Sequence, residues 1–296
     1  KPVLACAITG RTHAAPLRTG SESIPTYAFP ENAVRALGKV VSYATRRAQP
    51  ASLYWDFDDV HLDEARAICD RATRERNAGW LTAEETFRLL RAFGLPIIQS
   101  SVAHDADEAV SIARGHACPV AAKVLSPHVL HKTDVGGVRL NLSADEDVRQ
   151  AFNDLSRLAH EAAPDAAADG VLIQPMVAGG IETIIGVVHD PLFGPLIGFG
   201  LGGVDVEVLG DVRFRVAPLT DRDADELLRE VRGVRLLQGY RGRPPADLDA
   251  LREILLRVSR LADALPSVRE LDLNPVIALA PGKGCRVVDA RVRLGV

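Results

Sequence analysis

Between Lys123 and Gly137 the sequence gathers two lysines, two histidines and a glycine pair, in "KVLSPHVLHKTDVGG". No helical spacing of apolar residues runs through it, and strand-like apolar stretches flank it. The ammonium of Lys123 or Lys132 is a point charge suited to phosphate oxygens. The amides of Gly136 and Gly137 can come close to an anion because no Cβ intervenes. His128 and His131 add neutral imidazoles, which near pH 7 are competent nucleophiles toward a phosphoryl group. This is the chemistry of a basic loop that grips nucleotide phosphates. Plainer readings stand beside it. A lysine inside the small apolar strand "VAAKV" can snorkel from a sheet edge, and a lone histidine is more often a surface or capping residue.

A second group is acidic. "ELDLNPV" sets Glu270, Asp272 and Asn274 on one face of a strand by its period of two, and "VVDARV" sets Asp289 on a partner strand. Magnesium takes such oxygens, with only one or two protein ligands beside nucleotide phosphates; a solvated polar strand face is the alternative. Glu182, in "GGIETIIG", and Glu207, in "GGVDVE", are further acidic candidates. "IQPMV" (Ile173 to Val177) is apolar and precedes a glycine pair, as a hinge between two sheets with a slot for adenine would. "GFGLGG" (Gly198 to Gly203) matches the dinucleotide fingerprint in letters only. That fingerprint opens a helix, whereas "VDVEVLGDVRFRV" alternates with period two. We reject it and assign these glycines to tight turns.

These residues need elements to hold them. The spacing predicts strands over "KPVLACAI", "IPTYAF", "LPIIQSSVA", "PVAAKVL", "GVRLNL", "GVLIQPMV", "IETIIGVVHD", "GPLIGFG", "VRELDLNPVIAL" and "CRVVDARVRL". It predicts helices from Pro30, over Leu62 to Arg76, after Thr82 with its capping partner Glu85, after Asp105, after Ser143 with Glu146, over Asp221 to Val231 and over Leu248 to Ala264. Helices and strands alternate early and hairpin-like strands dominate later, which is an α+β layout with antiparallel sheet rather than a doubly wound one.

With 296 residues the chain has room for two domains, and a net charge of −4 excludes a polyanion-binding surface, so no nucleic acid is expected. No apolar run is long enough to span a membrane. Four widely separated cysteines read as reduced core residues of a cytoplasmic protein. The chain opens on Lys1, inside an apolar run, and so reads as a fragment.

From about Trp80 to the end, the order "LTAEE", "GLP", "PVAAKVLSP", "HKTDVGGV", "QPMV", Glu182, "GPLIGFGLGG", Glu207, "DLNP" and "DAR" resembles the ATP-grasp portion of the ADP-forming acyl-CoA synthetases, relatives of succinyl-CoA synthetase. The resemblance implies an ATP-grasp fold over 80–296: two α+β subdomains, α/β overall, with ATP or ADP between them. Residues 1–50 resemble the end of a flavodoxin-like ligase domain, and 51–79 read as a linker. Lys123 would contact the phosphates, with the loop of Lys132, Gly136 and Gly137 closing over them. Gln174, Met176 and Val177 would form the hinge beside adenine. Glu182 would reach the ribose or the polar groups of the hinge, Glu207 would add an acidic contact, and Asn274 and Asp289 would hold Mg2+. His131 would carry a phosphoryl group, in the reaction of acid, CoA and ATP to acyl-CoA, ADP and phosphate. CoA and the acyl substrate would then be bound by domains or a partner chain outside this sequence, in a homo- or hetero-oligomer. A ligand-sensing synthetase-like domain of a GNAT-type protein acetyltransferase is the alternative.

Overall fold

The computed structural model describes residues 2–7, 15–48, 50–125, 136–162, 170–203 and 210–295. They form two compact units divided between Ser52 and Leu53. In the first, β1 (Ala5–Cys6) pairs in parallel with β4 (Thr26–Tyr27), and β2 (Leu17–Thr19) forms a hairpin with β3 (Glu22–Ile24). The long strand read in "KPVLACAI" shrinks to two paired residues, because β4 is the only strand bonded to it among the described residues. Helix α1 (Pro30–Ala48) begins at the expected proline, which suits a first turn because its missing N–H has no intrahelical partner there.

The second unit runs α2 (Leu62–Arg76), β5 (Gly79–Trp80), α3 (Ala83–Ala92), β6 (Ser101–Ala103), α4 (Ala106–Arg114), β7 (Val120–Val124), β8 (Val138–Leu142), α5 (Asp145–Ala162), β9 (Val171–Pro175), β10 (Ile181–Asp190), β11 (Gly194–Leu201), β12 (Val212–Val216), α6 (Asp221–Glu230), α7 (Val234–Leu237), α8 (Leu248–Ala264), β13 (Val268–Ala278), β14 (Cys285–Val287) and β15 (Ala290–Leu294). The stretch read as a linker contains α2, which buries Ala65, Ile68, Cys69 and Ala72 in the main core of this unit.

Two antiparallel sheets organise it. The smaller has the order β6-β9-β7-β8, and the larger runs β12-β11-β10-β13-β15-β5 with β14 also on β13. Each has its own apolar cluster. Val148, Phe152 and Leu155 of α5 close over Ala122, Val124 and Ile173 of the small sheet. Leu251, Leu255 and Val258 of α8 close over Ile185, Val187 and Leu271 of the large one. Burying such side chains stabilises by about 1.5–3 kcal/mol each.

Local chemistry sets the boundaries. Thr82 caps α3 by accepting from the Glu85 amide at 3.2 Å, while Glu85 accepts from the Thr82 amide at 2.8 Å. Asp105 caps α4 through the Glu108 amide at 2.7 Å. "LPIIQSSVA" keeps only Ser101–Ala103 as strand. Pro96 has no N–H to give a ladder, and Ile97 instead forms an isolated bridge to Val287 of the large sheet. "GFGLGG" runs along β11, which pairs antiparallel with β12, so this is a meander and not a βαβ unit. All four cysteines are free. No described helix is long and apolar enough to cross a membrane.

Candidate functional site

The small sheet aims two polar side chains at the large one. Register pairs Lys123 with Leu172, and Ala121 with Gln174. These four residues therefore share a face, while Ala122, Val124 and Ile173 take the other face and pack beneath α4 and α5. Leu172 belongs to the core cluster of the large sheet, so the Lys123 face is the inward one. β7 lies between β9 and β8, and Lys123 is only 5% exposed. The edge-lysine reading is thereby corrected: a lysine in a central strand cannot snorkel past its neighbours, and it must find a partner indoors.

One such partner is a main-chain carbonyl. Lys123 Nζ donates to the Val288 oxygen at 3.1 Å, and Gln174 Nε2 donates to the same oxygen at 3.3 Å and to Ser100 Oγ at 2.9 Å. Val288 stands between β14 and β15, immediately before Asp289. The Asp289 carbonyl accepts from the Asn274 amide at 3.1 Å, the Pro275 carbonyl accepts from the Val288 amide at 3.0 Å, and Asp289 Oδ1 accepts from the Ala290 amide at 3.0 Å. Lys123, Gln174, Asn274 and Asp289 thus converge around one residue, from both sheets. The acceptor itself is a backbone group, and no sequence signal marks it. Ser100 was missed for a related reason: it lies in the stretch read as continuous strand.

Gln174 is buried, and among the described residues its Oε1 has no hydrogen-bond partner. Its orientation is fixed by Val288, whose carbonyl can only accept, so the amide nitrogen must face it. A buried acceptor left in this state costs about 1–3 kcal/mol.

The remaining candidates sort by distance from this point. Met176 donates its amide to the Pro119 carbonyl at 2.8 Å, and with Val177 it starts the segment that leaves β9 in the small sheet for β10 in the large one. Gly180 ends that segment at φ +88°, where an added Cβ would stand 2.5 Å from Ile277 Cγ2 and 2.9 Å from the Ala278 carbonyl. Only glycine fits a backbone packed this closely. Glu182, opposite Ile277, holds the Gly202 amide on its carbonyl at 2.8 Å and sets its carboxylate beside Gly203. Gly136 has φ +69°, and the Gly137 carbonyl accepts from the Val124 amide at 2.9 Å, closing the β7–β8 connection. His128, His131, Lys132 and Glu207 lie outside the described residues.

The acidic strand divides. Glu270 pairs with Arg293 at 3.0 Å, and Asp272 faces Arg291 in register, so both belong to a polar strand face. Asn274 sits where β13 passes from its pairing with β15 to its pairing with β14, between Leu273↔Ala290 and Val276↔Val287. Among the described residues no cluster of three His, Cys, Asp or Glu side chains forms a metal cage. Asn274 and Asp289 are joined through their main chains, and an amide and a carboxylate are donor types that suit magnesium, which leaves most of its positions to water and phosphate. A buried ammonium, a buried amide acceptor and the residues Asn274 and Asp289 thus gather around the Val288 carbonyl, between the two sheets.

Residues 72–294 match the family model described as ATP-grasp domain. The chain belongs to the ATP-grasp family. Its relatives place this ATP-grasp domain among the ADP-forming acyl-CoA ligases. It is 40% identical to the beta subunit of acetate–CoA ligase [ADP-forming] I from Pyrococcus furiosus, over 78% of this chain and 98% of that one. It is 42% identical to acetate–CoA ligase [ADP-forming] I from Archaeoglobus fulgidus, over 93% of this chain but 39% of that protein. The ATP-grasp chain thus spans about two fifths of the length of its longer relatives. It superposes with a TM-score of 0.73, at 40% identity, on the dinucleotide forming acetyl-coenzyme A synthetase 1 of Ca. Korarchaeum cryptofilum, solved with coenzyme A, Ca-AMPCP and HgCl+; the match covers 78% of this chain and all of that one. The two-subdomain α+β expectation agrees with this neighbour.

Proposed function

We propose that this ATP-grasp domain binds an adenine nucleotide with Mg2+ between its two sheets and supplies the nucleotide step of an ADP-forming acyl-CoA synthetase. The observation that carries this reading is the meeting of Lys123 and Gln174 on the Val288 carbonyl, next to Asp289 and Asn274. Lys123 exchanges that carbonyl for a phosphate oxygen. Gln174 Oε1 takes a hydrogen from the adenine amino group, which relieves its burial without a partner. Asp289 and Asn274 hold the metal, which when bound neutralises phosphate charge. Glu182 reaches the ribose, and the 176–180 segment flanks the base.

Phosphoryl transfer depends on charge neutralisation and alignment more than on covalent machinery. His131 is the acceptor in this proposal: an imidazole nitrogen forms the bond to the γ-phosphorus of ATP as the bond to the ADP oxygen breaks, and ADP leaves. Lys132, Gly136 and Gly137 escort the group, and Glu207 completes the acidic rim. The acyl and CoA chemistry then belongs to further domains or to a partner chain in the cytoplasm. The alignment with the longer relative exceeds the length of the second unit, so it runs into the first, which is consistent with residues 1–50 being the end of a flavodoxin-like ligase domain. The names of the relatives favour this ligase over the acetyltransferase alternative.

Calorimetry tests the reading. Mg·ADP binds to the intact chain, and Lys123→Ala or Asp289→Asn weakens it by about tenfold or more, in line with about 1.5–3 kcal/mol for a hydrogen bond to a charged group. His131→Asn binds normally but takes no label from γ-labelled ATP when the synthetase is complete. Equal affinity in the Lys123 variant would sink the proposal.

A further inference from the structure

A cavity of about 750 Å³ lies behind the segment that joins the two sheets. Its walls include Gly180 and Ile181 of that segment and Leu279 of the β13–β14 connection, and its cations are Arg243, Lys283 and Arg286. None of Lys123, Gln174, Asn274 or Asp289 lines it. Among the described residues, none of the three cations makes an ion pair. Arg286 Nη1 donates only to the Cys285 carbonyl, at 2.7 Å. Asp247, which braces the β13–β14 connection, is already used: its Oδ1 takes the Ala250 amide at 3.1 Å and its Oδ2 the Gly284 amide at 2.9 Å. Three uncompensated positive groups around a concave apolar wall are not a general property of this surface, because the whole chain carries a net charge of −4.

We propose that this cavity is a second anion-binding site, which takes a small molecule with two or more phosphate groups on an aromatic or apolar body. The volume falls within the range of small-molecule pockets. Two guanidinium forks suit bidentate phosphate recognition, and an ammonium adds a movable point charge. Ile181 and Leu279 offer the apolar contact that inorganic phosphate would not use. An occupant would touch Gly180 and so bear on the connection between the sheets.

Titration of the intact chain with adenosine 3′,5′-bisphosphate tests this, with the Arg243→Glu/Arg286→Glu double variant, Lys123→Ala and the unaltered chain compared. The expected result is binding that the double variant weakens by about tenfold or more and Lys123→Ala changes by less than about twofold. Mg·ADP binding stays unchanged in the double variant, which separates this site from the cleft whatever the fate of the nucleotide proposal. Should the double reversal unfold the chain, Arg243→Gln/Lys283→Gln replaces it, both residues being exposed. Absence of binding at millimolar probe overturns the inference. So does a probe that responds to Lys123→Ala, because it then occupies the cleft.

Discussion

Helices α1 and α8 carry similar apolar stripes and have different surroundings. Of the 19 residues of α1 only Ala33 is buried, and Val34, Val40, Val41 and Tyr43 face outward; of the 17 residues of α8 nine are buried, among them Leu251, Leu255 and Leu261. Each stripe repeats with the helical period, and each predicts a covered face. In α8 the large sheet supplies the cover. In α1 the short strands β1 and β4 cover only the part around Ala33 and Leu37. A periodic stripe records that a face needs burial, and says nothing about which part of a protein provides it.

The sharpest way to break this comparison is a matched truncation. Leu255→Ala, at a fully buried position, is expected to destabilise the second unit by about 2–5 kcal/mol. Val40→Ala in α1 is expected to change the first by no more than about 0.5 kcal/mol. Urea denaturation, with each unit followed by its own probe, reads both. A Val40 effect above about 1 kcal/mol would mean that the α1 face is covered in solution.

A smaller effect separates local from tertiary stabilisation. Thr82→Ala removes the capping box of α3 while leaving its buried Phe87, Leu89 and Leu90 in place, and a loss of about 1 kcal/mol is expected. A loss as large as that of Leu255→Ala would show that the start of α3 also holds the sheet.

The smallest effect is a titration. Burial pushes the Cys69 thiol up to about 11 and the Cys285 thiol up to about 12 from an ordinary 9.0. Folded-state values above the unfolded one mean that this stabilisation is complete below pH 9.0, then declines as the unfolded chain ionises first, and is gone once pH has passed the folded values. The urea midpoint should begin to fall above pH 9.0, and fall less steeply in Cys285→Ala. At neutral pH a thiol reagent should label the exposed Cys6 and Cys118 quickly, and Cys69 and Cys285 only on unfolding.

Much of the architecture was legible because its signals are local. Thr82 with Glu85, and Asp105, announce helix starts through side chains only a few residues from the amides they cap. The 176–180 segment, marked by Pro175 before it and by its glycine pair, is the connection from β9 in the small sheet to β10 in the large one. The period of two puts Glu270, Asp272 and Asn274 on one face without distinction, and the cross-strand arginines Arg293 and Arg291 opposite the first two set Asn274 apart. What stayed hidden depends on strand order. "VAAKV" reads the same at an edge or at the centre of a sheet, and only the pairing of β7 with both β8 and β9 makes Lys123 an inward charge. The segment over 51–79 looked like a linker because its helix is highly charged; the small residues Ala65, Cys69 and Ala72 that seat it carry little weight in any hydrophobic pattern. The parts of the site assigned to His131, Lys132 and Glu207 rest on resemblance and not on geometry.

The carbonyl of Val288 has a consequence for the life of the protein between ligands. A buried ammonium with nothing to hold would favour either proton loss or local opening. Here the Val288 oxygen gives the ammonium an acceptor inside the protein. On the function proposed above, binding a nucleotide exchanges that acceptor for a phosphate oxygen, and its release lets the Val288 contact re-form.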